Sequence, residues 1–97
     1  MIPTATLNDG TASPELGFGT FKLRGEDGTA AIVSAIENGY RLLDSAVNYQ
    51  NEPEVGEAVR RSGIRDQLIV TTKVPGREHG YDETMQSAHA SLERLGL

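Results

Sequence analysis

The stretch Gln67-Leu68-Ile69-Val70-Thr71-Thr72-Lys73 (QLIVTTK, 67–73) decides the fold class. Its centre is apolar and β-branched, so it reads as a parallel strand buried on both faces. Such a strand needs helices to cover it, and the sequence supplies them on both sides. Upstream, Val55, Ala58 and Val59 form an apolar stripe at helical spacing, ended by Gly63. Asn51 reads as the N-cap of that helix, with Glu54 three residues later in capping-box position. Downstream, a polar loop over 75–81 leads to a last helix. Its stripe is Met85, Ala88, Leu92 and Leu95, and Gly96 is its stop.

Working outward, Tyr40-Arg41-Leu42-Leu43-Asp44 reads as another short strand. Before it, a helical pattern begins at Gly28, with Ile32, Ala35 and Ile36 at i, i+3, i+4 and Gly39 as stop. Leu16-Gly17-Phe18-Gly19-Thr20 reads as a short buried strand. Residues 4–8 (TATLN) alternate like a strand. Asn8-Asp9-Gly10 is a hairpin turn signal, and a second short strand over Thr11–Glu15 would complete the hairpin, weakened at Pro14. The order is therefore a hairpin followed by β-α-β-α-β-α. Alternation of this kind predicts a parallel sheet with right-handed crossovers. Leu97 stands where a fourth strand should begin, so the chain reads as the N-terminal part of a longer protein.

Composition narrows the function. The chain has 97 residues, far fewer than the roughly 250 of a closed (β/α)₈ barrel. Its net charge of -5 argues against nucleic acid as a partner, because phosphate binding needs clustered Lys and Arg. With no cysteine, disulfides and thiolate chemistry are excluded. His79 and His89, ten residues apart, do not have a helical metal-ligand spacing. The N-terminus has no basic region followed by an apolar run, and no stretch approaches membrane-spanning length. A soluble, cytoplasmic protein with no membrane partner is the expectation.

Parallel α/β proteins place their chemistry in the loops after the strands. Asp44 ends the second strand of the parallel series and Lys73 the third. Tyr49 lies in the loop between Asp44 and the helix that starts near Asn51. Neighbouring strands lie about 4.8 Å apart, so Asp44 and Lys73 can project from one rim, with Tyr49 folding back over them. A Tyr hydroxyl is a poor acid near neutral pH, and a neighbouring ammonium makes proton donation easier. An Asp beside the Lys keeps the amine protonated. The set suits donation of a proton to a developing alkoxide, as in carbonyl reduction, with hydride supplied by a cofactor. Singly, each residue has a plain reading: an N-cap or loop ion pair for the Asp, a solvated strand end for the Lys, a packing residue for the Tyr. Their convergence on one rim is what favours a site.

Several segments resemble the aldo-keto reductases. They are Gly17-Phe18-Gly19-Thr20-Phe21-Lys22, the block from Leu43 through Asp44-Ser45-Ala46-Val47-Asn48-Tyr49-Gln50-Asn51-Glu52, Val55-Gly56-Glu57-Ala58, Thr72-Lys73 and Ser91 through Leu97. The resemblance implies the first three βα units (17–97) and capping hairpin (1–16) of a (β/α)₈ barrel, one domain left incomplete over 1–97. It implies an NADP(H)-dependent oxidoreductase that reduces aldehydes or ketones. Tyr49 would be the general acid, with Lys73 and Asp44 as its tuning pair. Gly19, Thr20, Phe21 and Asp44 would border the cofactor NADPH. Phe21, Val47 and Tyr49 would line the pocket for a small-molecule carbonyl substrate. The family's fourth catalytic residue, a His, would lie beyond Leu97. Many relatives carry Trp where this chain has Phe21, and another where Val74-Pro75-Gly76 stands. The resemblance implies a monomer for the full-length protein.

Three other readings compete. Gly17-Phe18-Gly19 is no Rossmann fingerprint, because Lys22 occupies the third glycine position. A Schiff-base lyase would use Lys73 as nucleophile, but that needs the amine uncharged, and Asp44 favours the charged form. A non-catalytic fragment or cofactor-binding regulatory relative is the third. Open sheet edges would make this fragment prone to self-association.

Overall fold

A computed structural model describes residues 2–97. The hairpin comes first: β1 (Thr4–Thr6) pairs antiparallel with β2 (Ala12–Pro14), with Thr4 opposite Pro14 and Thr6 opposite Ala12. Both strands are shorter than the sequence suggested. The turn consumes the difference, with Leu7 N–H donating to the Thr11 carbonyl and Asp9 Oδ1 accepting from Thr11 N–H. Pro14 is tolerated because it is the last residue of an outer strand.

Three parallel strands follow in sequence order: β3 (Phe18–Gly19), β4 (Leu42–Asp44) and β5 (Ile69–Thr71). The helices α1 (Gly25–Glu37), α2 (Glu52–Ser62) and α3 (Tyr81–Leu95) alternate with them. The structure is thus an α/β partial (β/α)₈ barrel with no closure, in which β3 and β5 each have one strand neighbour. Short 3₁₀ turns over Val47–Tyr49, Arg65–Gln67 and Gly76–Glu78 complete the loops. None of the described helices is long and apolar enough to cross a membrane.

The core is one cluster of Ile32, Ile36, Leu43, Val55, Ala58, Val59, Leu68 and Leu95. It lies between one face of the sheet and the helices. Successive residues of a strand point to opposite faces. In β4, Leu43 is fully buried while Leu42 and Asp44 remain half-buried. In β5, Ile69, Val70 and Thr71 are all half-buried, not enclosed on both faces as the apolar run predicted. Strand character was legible; the second covering layer is not present in an open sheet.

Two helices depart from expectation. The first begins at Gly25, three residues earlier than predicted. Gly28 serves a close contact instead, since a Cβ there would run into the Leu23 backbone. The last helix buries Ser87, Ser91 and Leu95, spaced four apart, while Met85 and Leu92 of the predicted stripe are 44% and 48% exposed and Ala88 also faces out. Of the predicted stripe only Leu95 enters the core, and the rest of the covered face is made of the two serines. Likewise Leu16, expected inside a buried strand, is exposed. The helix stops behaved as read: Gly39, Gly63 and Gly96 all have positive φ, the conformation glycine adopts without steric cost.

Candidate functional site

The register of the sheet brings the site together. Gly19 pairs with Asp44 across β3 and β4, and Asp44 with Thr71 across β4 and β5. Asp44 and Thr71 therefore share a row. Lys73 lies two residues beyond Thr71, on the same face by the pleat. Its Nζ reaches back to Asp44 Oδ1 and Oδ2, both at 2.8 Å. Thr71 Oγ1 donates to Asp44 Oδ1 at 2.7 Å and holds the carboxylate from the other side.

The Lys73 ammonium has three donors and finds three acceptors: the Asp44 carboxylate, the Ser45 carbonyl at 2.9 Å and Tyr49 Oη at 3.4 Å. Tyr49 sits over the pair because the 3₁₀ turn Val47–Tyr49 brings the chain back after β4. Lys73 Nζ lies 4.9 Å from the Tyr49 ring centroid. Partial burial by itself pushes the Lys73 amine down. Its hydrogen bonds to Asp44 and Tyr49, and their charge, outweigh that and raise it above its ordinary value. Desolvation likewise pushes the Asp44 carboxyl up, but the Lys73 and Thr71 hydrogen bonds and the ammonium charge hold it below the usual carboxylate range. Near neutral pH the pair is a carboxylate and an ammonium, which leaves no free amine for Schiff-base formation.

The other expected site residues fall into two groups. Phe21 is 59% exposed and packs its ring 5.1 Å from that of Tyr49, so it borders the triplet. Gly19 has open space where a side chain would be. Thr20, also expected to border the cofactor, is fully buried, and both its N–H and its hydroxyl donate to the Asp44 carbonyl, at 3.0 and 2.9 Å. Its job is to tie the first βα loop to the end of β4. Val47 is half-buried and lines a cleft of about 360 Å³ with Gln50, Glu52, Pro53, Arg77 and Arg94. A larger cleft of about 660 Å³ lies between the hairpin and the starts of the strands, lined by Ile2, Pro14, Arg41 and Leu68 among others. It is remote from the Asp44–Lys73–Tyr49 cluster. His79 and His89 are exposed and take no part in that cluster.

The capping-box reading of Asn51 and Glu54 is overturned. Asn51 sits at the N-cap but makes no side-chain cap hydrogen bond, and Glu54 accepts instead from Gly25 N–H at the start of α1. The Asn51 amide is drawn inward, where buried carbonyls and a hydroxyl compete for it more strongly than a solvated helix end does.

Glu52, to which sequence reasoning assigns no role, is a structural link. Its side chain is 2% exposed, accepts from Thr72 Oγ1 at 2.7 Å and pairs with Arg94 Nε at 2.7 Å. Thr72 points to the helix side of the sheet, opposite Lys73, so Glu52 fastens the end of β5 to α2 and α3. Burial pushes its carboxyl up, and hydrogen bonds from Thr72, Arg94 and Ser91 bring it below the usual range. A folded-state value below the unfolded one gives stability that is present above the unfolded value of about 4.3 and lost as pH falls through the folded one. Glu52→Gln should therefore cost about 2 kcal/mol at pH 7, less than a fully enclosed pair because Arg94 is 40% exposed. The gap from the parent should shrink below about pH 4. Denaturant titrations at pH 7 and pH 3.5 check this; a gap that does not vary with pH would contradict it.

An open (β/α)₈ segment with a Tyr, a Lys and an Asp converging after its parallel strands defines a class of site in which a charged pair orients a phenol. The particular family follows from comparison with known proteins. The model of the aldo/keto reductase family matches residues 15–97, and the chain belongs to that family. It is 60% identical over 97 residues to 2,5-diketo-D-gluconic acid reductase B of a Corynebacterium species, covering 99% of this chain and 35% of that protein. It is 45% identical to morphine 6-dehydrogenase of Pseudomonas putida, over 98% of this chain and 32% of the relative. Among solved structures, an aldo/keto reductase of Brucella melitensis superposes with a TM-score of 0.93 at 38% identity, over the whole chain and 38% of its own. A Bombyx mori aldo-keto reductase in complex with NADP superposes with a TM-score of 0.89 at 34% identity, over 99% of this chain and 35% of its own. The chain thus spans about a third of the length of the curated relatives it matches.

Proposed function

We propose that this chain carries the proton-donating part of an NADPH-dependent carbonyl reductase site, with Tyr49 as general acid and Lys73 and Asp44 as the pair that orients and tunes it. The observation that carries the proposal is the direction of the hydrogen bond between Lys73 and Tyr49. An ammonium can only donate, so Tyr49 Oη accepts from Nζ and its own O–H is turned away from the pair, free to donate to a substrate oxygen. Asp44 keeps that ammonium charged and in place.

The rim fits the nicotinamide-ribose end of the cofactor. Gly19 leaves space beside Asp44, Phe21 offers an exposed flat ring, and the Asp44 carboxylate is an acceptor for a ribose hydroxyl. NADPH, as in the Bombyx relative's complex with NADP, would supply a hydride to the carbonyl carbon. The residues of this chain do the rest. Phe21 and Tyr49 present an apolar surface to the substrate, and Tyr49 gives its proton to the carbonyl oxygen as charge develops there. The substrate class is aldehydes and ketones of small molecules. The remaining cofactor contacts, and a His as fourth catalytic residue, are assigned to the part of the barrel that the longer relatives carry beyond the matched third.

The test uses two proteins: the 97 residues alone, and the chain continued by the remaining two thirds of the 60%-identical Corynebacterium relative. The completed barrel should oxidise NADPH in step with reduction of a simple aldehyde, and the 97 residues alone should not. NADPH consumption by the short chain would refute the assignment of essential groups beyond Leu97. A borohydride-trapped adduct on Lys73, with no NADPH consumed by the barrel, would refute the reductase and favour a lyase.

A further inference from the structure

The Asn51 side chain is fully buried, yet it neither caps α2 nor touches the Asp44–Lys73–Tyr49 cluster. Its Nδ2 donates to the Thr20 carbonyl at 2.6 Å, to Thr20 Oγ1 at 3.0 Å and to the Leu23 carbonyl at 3.1 Å. Its Oδ1 accepts from Ser45 Oγ at 2.7 Å. Only a side chain with donors at one corner and an acceptor at the other satisfies this cavity; a carboxylate would set oxygen against two carbonyls.

The amide joins two loops that the chain reaches separately. One is the first βα loop, which follows β3. The other is the segment after β4. Ser45 is the hinge between Asn51 and the cluster: its hydroxyl is held by Asn51, and its carbonyl accepts from Lys73 Nζ. Each loop also contains a non-glycine residue in the left-handed region, Lys22 at φ 69° and Gln50 at φ 56°. Such backbone persists where the surroundings over-determine it. The contacts to Thr20 and Leu23 flank Lys22 on both sides, and Gln50 is the residue next to Asn51.

We propose that Asn51 is a positioning residue: its buried amide fixes the Ser45 carbonyl, and through it the Lys73 ammonium, relative to the first loop that carries Gly19 and Phe21. This rests on the assignment of Tyr49 and Lys73 as the proton-donating pair. The alternative is a stabilising plug, whose removal would lower the melting temperature without changing the pair.

Ser45→Ala and Asn51→Ala in the completed barrel separate the two. Ser45→Ala deletes one hydroxyl with almost no change of volume, so it decides the matter even where Asn51→Ala does not fold. Both variants leave the Ser45 carbonyl in place but release the side chain that fixes it, so the charge-assisted contact from Lys73, worth about 10- to 100-fold in rate when fully lost, is loosened. The expected result is a fall in kcat of about tenfold for Ser45→Ala and up to about 100-fold for Asn51→Ala, with KM for NADPH changed less than kcat. The ¹³Cε resonance of Lys73, followed with pH in cofactor-free protein, should titrate at lower pH in both variants. The titratable groups that shape this amine are Asp44 and Tyr49, and both are retained. Parental kcat and a parental Lys73 titration in folded Ser45→Ala overturn the proposal, whatever its melting temperature. Failure of the underlying assignment looks different: Tyr49→Phe would retain turnover while the Lys73 titration still moved in Ser45→Ala.

Discussion

Tyr49→Phe in the completed barrel should lower carbonyl reduction by about a thousandfold, the usual scale for removing a general acid, and leave NADPH affinity within about twofold. The ring is retained, so its packing against Phe21 and the charge of Lys73 over its face survive. Only the hydroxyl goes, and with it the one group that Lys73 orients outward. Lys73 keeps the Asp44 carboxylate and the Ser45 carbonyl, so the ion pair has no reason to move. Turnover with a simple aldehyde and a fluorescence titration with NADPH read the two quantities separately. Loss of both together would mean that the substitution disturbed the rim. Loss of neither would remove Tyr49 from the reaction.

The second large effect concerns stability. Gly56→Ala should destabilise the fold by about 3 kcal/mol, the upper end for forcing extra volume into a packed contact. In an open helix the same change normally gains about 1 kcal/mol. Here a Cβ at position 56 would land on the Leu95 carbonyl, where α3 closes against α2. That neighbour is backbone, and it cannot swing aside as a flexible side chain would. Gly76→Ala is the control of opposite sign. Nothing lies within 4 Å of its Cβ position and its φ is not positive, so it should be neutral or slightly stabilising. Urea midpoints of the two variants against the parent decide it, and equal shifts would show that the close approach at Gly56 carries no weight.

The site was legible to different depths. Asp44, Lys73 and Tyr49 were visible because a parallel sheet sends chemistry to the residues after its strands, and each of the three stands there in the chain. Phe21 follows the first strand in the same way, and its ring lies beside that of Tyr49. Asn51 was misread because an Asn before an apolar helical stripe has the same local signature whether it caps the helix or is drawn inside. Only the presence of Thr20, Leu23 and Ser45 around it tells the two apart. The Asn51-Glu52 pair inside the motif was the available signal, since Glu52 at the second position has no local use yet proves almost completely buried. The stripe of α3 failed for another reason. Periodicity reports which residues share a face, and here the covered face joins two serines, Ser87 and Ser91, to Leu95 alone of the stripe.

By itself the sequence determined what depends on neighbours along the chain: the alternation of strands and helices, the three glycine stops, and the rim positions of Asp44, Tyr49 and Lys73. These follow from periodicity and backbone sterics, which act over a few residues. Tertiary structure decided what depends on neighbours across the sheet. It set the row of Gly19, Asp44 and Thr71, the three acceptors around one ammonium, and the buried amide that ties two loops together. Hydrogen bonds of that kind span 20 to 31 residues of chain, as between Thr72 and Glu52 or Asn51 and Thr20. No local pattern encodes which of several possible partners will be desolvated together.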